Sequence, residues 1–306
     1  MYKMLVGLLA TRWYLRIFFK ARMSSILIDT SNLLYRGYYS FPSHPCGEVF
    51  FTLTTIRSYL TNPSSHVYLC LDGTPKGKQI NEAYKANRDH GEVSVYRYLP
   101  QLVYMLQNLN RVHIAYNPDL EADEVIFSLT RILEGNKLIV STDNDLLQSL
   151  KEDTEIQRQD KIINEQYYRT EMVQKFHSVT PSRLPVYRAI VGDSSDNLKP
   201  PVPRFPKELA ALIAESIDYD GTVPTKERLQ TLFLSFDNLT KSKKEKLELL
   251  LENYHSFSTN FEIMKLNVHT DLNYPFLKEN PIIPNFPSGV MGVFKTIKLL
   301  DANQEC

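Results

Sequence analysis

Short apolar runs alternate with longer segments of helical periodicity between residues 24 and 198. Three of the runs, at 25–28, 67–71 and 138–142, are rich in Ile, Leu, Val and Tyr. Runs of this length and composition predict β-strands, and the amphipathic segments between them predict helices. We therefore predict an α/β fold with a mainly parallel central sheet flanked by helices.

Each of the three predicted strands is followed at once by acidic residues. Asp29 follows the first run, Asp72 the second, and Asp143 and Asp145 the third. Ligands of open parallel sheets bind outside the carboxyl ends of the strands, so neighbouring strands would bring these acids into one crevice. Because an uncompensated buried carboxylate is costly, the group needs a doubly charged partner.

Two further pairs, Glu121 with Asp123 and Asp193 with Asp196, complete a set of eight acids. Hard oxygen ligands favour magnesium or manganese over zinc. Two such ions about 4 Å apart can hold the attacking and leaving oxygens of a phosphodiester. We predict a site for two Mg²⁺ ions, with Mn²⁺ able to substitute, and phosphodiester hydrolysis as the reaction.

Each acidic pair also has an ordinary structural explanation. Glu121 and Asp123 open an apolar-periodic helix, where acids interact favourably with the helix dipole. Asp143 and Asp145 are suited to capping a helix that begins at Leu146, and 193–197 has the composition of a plain turn. One such coincidence is common, whereas several at predicted strand ends in one chain favour a functional site.

The motifs that contain these acids resemble those of the 5′ nuclease, or flap endonuclease, superfamily, in its bacteriophage and bacterial 5′ to 3′ exonuclease branch. They occur in the family's order, with family-like spacing, over roughly residues 24 to 198. The matching segments are 27–36, 71–73, 84–88, 121–126, 141–145 and 192–197.

The resemblance implies that all eight acids occupy metal-binding positions. It also implies that Lys85 and Arg88 are catalytic cations at the foot of a helical arch through which a 5′ single strand passes. Tyr84 and Arg36 match nucleic-acid-contacting positions. A solvated basic turn remains the alternative for Lys85 and Arg88, and an ion pair with the acids remains the alternative for Arg36.

The predicted organisation has four parts. Residues 1–22 form a basic extension, 23–198 a PIN-like 5′ nuclease domain with its arch at about 85–117, 199–270 a helical DNA-binding subdomain, and 271–306 a tail that packs on the body or binds a partner. The segment 199–207 departs from the family, since prolines replace a glycine-rich loop that holds potassium. We expect no potassium site, and we expect Arg204, Lys207 and a helix N-terminus to contact duplex phosphates instead.

Charge and cysteine content limit the class of protein and the cellular compartment that the sequence predicts. The chain has 35 basic and 35 acidic residues, so outside the eight acids it carries an excess of eight positive charges, five of them in residues 1–22. Three cysteines without ligand spacing predict neither disulfides nor structural zinc. No run reaches the length of a membrane span. We expect a cytoplasmic monomer that begins at Met23, or a mitochondrial protein if 1–22 is a presequence.

Together these features predict a metal-dependent 5′ to 3′ exonuclease and flap endonuclease. The expected substrates are DNA with 5′ single-stranded ends, flaps or nicks, and RNA/DNA hybrids during primer removal alongside replication proteins. One alternative is a PIN-like ribonuclease, although PIN domains are shorter and lack the 84–88 motif. The other is a catalytically inactive nucleic-acid-binding protein, which the retention of all eight acids disfavours.

Overall fold

The protein is described here by a computed structural model that covers residues 23–74, 80–82, 84–85, 93–172 and 176–302. Its centre is a six-stranded sheet in the order β3-β2-β1-β4-β5-β6. The strands are β1 (Met23–Asp29), β2 (His66–Cys70), β3 (Val112–Ala115), β4 (Asn136–Val140), β5 (Thr154–Arg158) and β6 (Lys161–Ile163).

The sheet is parallel from β3 to β5, and only β6 runs antiparallel to its neighbour. In the register, Asp29 lies opposite Cys70, and Ile28 lies opposite Val140. The three strands that precede acids are therefore adjacent and end at the same edge. The predicted fold class is confirmed.

Helices of eight or more residues cover both faces of the sheet. They are α1 (Thr30–Ser40), α2 (Gly47–Leu60), α3 (Leu99–Leu106), α4 (Ala122–Ile132), α5 (Leu184–Val191), α6 (Lys207–Ser216), α7 (Lys226–Leu234), α8 (Lys241–Glu252), α9 (Tyr254–Met264) and α10 (Ser288–Ala302). Side chains of β1 alternate between two cores, with Ile26 and Ile28 on one face and Leu27 on the other. The strand is buried on both faces, as expected for the centre of a parallel sheet.

The range predicted for the arch contains a 3₁₀ helix at Val93–Tyr96, then α3 and β3. The regular α-helix in this range begins at Leu99, with Pro100 in its first turn. Proline is well tolerated at that position because its missing N–H has no partner within the helix.

The C-terminal tail packs back on the body. Val290, Val293 and Ile297 of α10 are buried in the same core as α2. Asp301 accepts hydrogen bonds of 2.8 Å from the backbone N–H groups of Asn110 and Arg111, at the start of β3. Among the described residues, no helix combines the length and apolar character that crossing a membrane requires.

Candidate active site at the carboxyl edge of the sheet

Asp29 forms the centre of the site and also starts a helix. It is the N-cap of α1, where its Oδ1 accepts the N–H of Asn32 at 3.0 Å. Its Oδ2 accepts the hydroxyl of Ser141, at the end of β4, at 2.8 Å. Burial, reinforced by the charges of Asp72 and Asp143, raises the pKa of Asp29 to about 7.

Asp72 stands two residues beyond β2 and is more exposed. One of its oxygens accepts the hydroxyl of Ser31, and the other accepts the N–H of Ala122 at 2.8 Å. Gly73 lets the chain pass close to the next loop, since a Cβ there would lie 2.3 Å from the carbonyl oxygen of Asn117. Asp72 therefore connects β1 and β2 to the start of α4.

Asp143 and Asp145 follow β4 and begin a short 3₁₀ helix at Asp145–Ser149. Asp143 Oδ1 accepts the N–H of Asp145 at 2.8 Å, but the N-cap of this helix is Asn144 and no side chain caps it, so the capping interpretation is wrong. The N–H of Asp143 donates to Ser141 at 3.1 Å, which links it to Asp29 through one hydroxyl. Both acids consequently lie beside the end of β1.

Glu121 and Asp123 lie at the start of α4. Glu121 forms no side-chain cap of the helix. Its carboxylate instead forms an ion pair with Lys85 and accepts the hydroxyl of Tyr84 at 3.1 Å. Burial and then the charge of Glu121 raise the pKa of Asp123, with Asp143 adding to the effect and Lys85 opposing it.

Lys85 connects this acid to the last pair. Its backbone has a φ of 54°, an uncommon conformation for a residue with a side chain. Its N–H donates to the carbonyl of Asp196 at 2.9 Å, and its ammonium lies 4.7 Å from the centre of the Tyr84 ring. The predicted catalytic lysine therefore lies beside Glu121 and Asp196 at the same edge of the sheet.

The loop that holds Asp193 and Asp196 is closed by two backbone hydrogen bonds. They join Asp193 and Leu198, at 2.8 and 2.7 Å. Gly192 precedes the loop with a φ of 74°, and a Cβ there would lie 2.6 Å from the carbonyl oxygen of Leu198. Asp193 Oδ1 also accepts the N–H of Ser195 at 2.8 Å, so the turn predicted as the structural alternative is present as well.

Arg188 is a site residue that the sequence analysis missed. It lies in the last turn of α5, and its side chain is only 12% exposed. Its guanidinium forms ion pairs with both Asp145 and Asp193. In the sequence it is a basic residue near a helix C-terminus, a common arrangement that gives no signal of a site.

The acids therefore fall into groups with different partners. We call Asp29, Asp72, Asp123 and Asp143 the inner group. Asp145, Asp193 and Asp196 form the outer group near Arg188, whose guanidinium pairs with the first two and whose charge also acts on Asp143 and Asp123 of the inner group. Glu121 forms its ion pair with Lys85, and its charge also acts on Asp123 of the inner group.

The remaining predicted residues lie away from these contacts or outside the described part of the chain. Arg36 is on α1, with its guanidinium 5.5 Å from the centre of the Phe51 ring. Arg204 and Lys207 are exposed near the start of α6. Arg88 falls in the segment 86–92, outside the described residues.

Comparison with known proteins agrees with this arrangement. Residues 24–177, just over half of the chain, match the family model described as the 5′-3′ exonuclease N-terminal resolvase-like domain. A 5′-3′ exonuclease of Buchnera aphidicola subsp. Baizongia pistaciae is 24% identical, and the match covers 94% of this chain and 96% of that one.

Solved structures share the fold at low sequence identity. The bacteriophage T5 D15 protein co-crystallized with metal ions matches with a TM-score of 0.61 at 14% identity, covering 90% of this chain and 99% of that chain. A T5 flap endonuclease in a pseudo-enzyme-product complex with DNA and metal ions matches with a TM-score of 0.58 at 14% identity, covering 79% and 89%. Because the family model spans the sheet and six of the eight acids, the protein belongs to the 5′-3′ exonuclease family and is a 5′ nuclease.

Proposed function

We propose that this 5′ nuclease hydrolyses phosphodiester bonds at or near the 5′ ends of DNA with a divalent ion, Mg²⁺, bound by the inner group. The observation that carries the proposal is the raised pKa of Asp29, to about 7, caused by its burial and by the charges of Asp72 and Asp143. A buried carboxylate whose pKa is raised in this way needs either a proton or a metal ion. The bound metal ions in the two T5 structures support the second choice.

The inner group is better suited to Mg²⁺, which keeps several water ligands, than to a metal ion coordinated only by protein side chains. All its donors are carboxylate oxygens, which are hard ligands. Among the described residues, no three His, Cys, Asp or Glu side chains already converge on one point in a ligating arrangement. Mg²⁺ keeps several waters and uses only one or two carboxylates directly, so wide spacing of the acids is compatible with it. The ion would supply charge that stabilises the phosphate and activates water.

A second ion, as predicted from the sequence, does not fit the outer group as it stands. Arg188 already forms ion pairs with Asp145 and Asp193, two of the three acids that such an ion would need. The proposed chemistry therefore includes only the ion at the inner group.

Lys85 is placed to bind the phosphate beside the inner group. Its side chain is 12% exposed and forms an ion pair with Glu121. An arriving phosphate oxygen would share or replace Glu121 as the partner of this ammonium. A fixed cation at that position stabilises the negative charge that grows on the phosphate during hydrolysis. Arg88 is proposed for the same task, as the family motif implies.

The duplex beyond the cleavage point would lie along the proline-rich segment. Val202 and Phe205 anchor this segment in the core, which leaves Arg204 and Lys207 exposed. Lys246 of α8 donates to the carbonyl oxygen of Pro203 at 2.9 Å, so basic residues of α8 lie beside the same segment. The first turn of α6 has no side-chain cap, and its N–H groups are suited to a phosphate.

The proposed enzyme and a PIN-like ribonuclease differ in the substrate that they cleave. The experiment incubates the purified protein with 5′-flap, nicked and RNA-primed duplexes and with single-stranded RNA, in Mg²⁺ or in excess chelator. We expect cleavage of the DNA substrates in Mg²⁺ only. Preferential cleavage of single-stranded RNA would favour the ribonuclease, and DNA cleavage in excess chelator would refute the metal site.

Two variants show whether the inner group carries the activity. Asp143→Asn removes one inner charge and should lower turnover by at least 100-fold, because the ion loses a ligand. Asp160→Asn is the matched control, since Asp160 is an exposed acid in the turn between β5 and β6. It should leave turnover unchanged. Equal activity of the two variants would mean that the inner group does not bind the catalytic ion.

A further inference from the structure

Arg188 lies where the family's pattern of acids would place a second metal ion. Its guanidinium contacts Asp145 on the 3₁₀ helix after β4 and Asp193 on the loop after α5. These two acids come from segments 48 residues apart in the sequence, and the arginine joins them. The side chains of Arg188, Asp145 and Asp193 are only 10 to 12% exposed, so the contact is largely shielded from water.

Three of the four carboxylate oxygens of Asp145 and Asp193 already have partners. Asp193 Oδ1 accepts both the N–H and the hydroxyl of Ser195, at 2.8 and 2.6 Å, and Oδ2 pairs with Arg188. Asp145 Oδ1 pairs with the same guanidinium. A divalent ion placed between these acids would have to displace hydrogen bonds and would be repelled by the positive charge of Arg188.

Packing prevents Arg188 from moving aside easily. The residues that follow it on α5, Ala189 and Ile190, are completely buried. Asn260 of α9 donates to the carbonyl oxygen of Ala189 at 3.2 Å and to that of Lys199 at 2.9 Å, which fixes both ends of the Asp193 loop. Withdrawing the arginine would also leave two shielded carboxylates without a cation, which is costly.

We propose that Arg188 takes the place of the second divalent ion, so that the protein binds one ion, at the inner group. The inference rests on the proposed divalent-ion site. An arginine supplies positive charge to the outer group at every metal concentration, because it does not dissociate and does not lose its proton at ordinary pH. Occupancy of the enzyme by Mg²⁺ should then follow a single-site curve.

The test counts bound Mn²⁺ by electron paramagnetic resonance of the free ion, without nucleic acid. It uses the full chain, the variants Asp143→Asn, Asp193→Asn and Arg188→Met, and the control Arg183→Met. Arg183 is a partly buried arginine that donates to the carbonyl of Ala214 at 3.2 Å. Mn²⁺ serves as the probe because it uses the same oxygen ligands as Mg²⁺ and is paramagnetic.

We expect one bound Mn²⁺ in the unmodified protein, one in Asp193→Asn and one in Arg183→Met. Binding should be at least about tenfold weaker in Asp143→Asn, and Arg188→Met should gain a second ion because two outer acids are released. If Arg188→Met does not fold, the comparison of the unmodified protein with Asp193→Asn decides the question alone. Two ions of similar affinity in the unmodified protein, one of them lost in Asp193→Asn, would overturn the inference. No Mn²⁺ binding at all would overturn the proposed divalent-ion site and this inference with it.

Discussion

Replacing Asp29 by asparagine should stabilise the metal-free protein while abolishing its response to Mg²⁺. The substitution removes the negative charge and keeps the helix cap, because asparagine is as good an N-cap as aspartate. Its Oδ1 can still accept the N–H of Asn32. The hydroxyl of Ser141, which donates to Asp29 Oδ2, can rotate to accept from the new amide. The expected change in stability therefore reflects the removal of a buried negative charge.

The magnitude follows from the pKa of Asp29, which burial and then Asp72 and Asp143 raise from 3.8 to about 7. Each pH unit between the unfolded and folded pKa corresponds to about 1.4 kcal/mol, which gives an upper limit of about 4 kcal/mol. The folded state favours the protonated form of Asp29, so the contribution of this preference to the free energy of unfolding is fully present below pH 4. The contribution is lost as the pH rises towards 7. Asp29→Asn should gain under about 1 kcal/mol at pH 4 and up to about 4 kcal/mol at pH 8.

Urea denaturation in excess chelator at pH 4, 6 and 8 measures this difference, with Asp160→Asn as the control. Adding Mg²⁺ at pH 8 should stabilise the unmodified protein, because the ion binds only the folded state, and it should stabilise Asp29→Asn much less. Destabilisation by Asp29→Asn at pH 8 in chelator, or the same difference at pH 4 and pH 8, would refute the reasoning.

Three other predictions test the surroundings of the site. Lys85→Ala should lower kcat roughly 100-fold with little change in KM, because the cation acts on charge that grows in the transition state. If steady-state kinetics show an unchanged kcat and a raised KM, Lys85 is a binding residue only. The double variant Arg204→Ala, Lys207→Ala should reduce the slope of log affinity for duplex against log salt concentration by about one to two. Fluorescence anisotropy in NaCl and in KCl measures this slope. A saturable potassium requirement would contradict the expected absence of a potassium site. Arg111→Met should cost about 3 kcal/mol in urea denaturation, since several carbonyl oxygens lose a buried donor; a loss under 1 kcal/mol would show that water replaces it.

The positions of three inner acids, Asp29, Asp72 and Asp143, could be predicted from the sequence because strand ends are recognisable. β1, β2 and β4 are short apolar runs, and each precedes its acid at a spacing that a parallel sheet turns into proximity. β5 and β6 were not predicted. Thr154–Arg158 contains a single strongly apolar residue, Ile156, and the weak alternation of such an edge region gives little signal.

The partners of the acids could not be predicted, because they depend on tertiary contacts. Arg188 meets Asp145 only when α5 packs against the segment after β4, and helical periodicity says nothing about that contact. Lys85 was found through a motif, but its ion pair with Glu121 depends on the backbone turn at Lys85 itself. The structural and functional explanations of the acids also proved compatible, since Asp29 caps a helix and Asp193 closes a turn while both face the site.

The uneven distribution of cations explains how one edge of a sheet can carry so many acids and still fold. Lys85 forms an ion pair with Glu121, and Arg188 supplies one positive charge that Asp145 and Asp193 share. The counterions of those acids are part of the protein. In the proposed function the inner group relies instead on exchangeable partners, a proton on Asp29 at low pH and a divalent ion at neutral pH. Metal affinity should therefore increase as the pH rises to about 7, where Asp29 loses its proton. On this proposal the competition between proton and metal is centred on Asp29, beside the place proposed for phosphate cleavage.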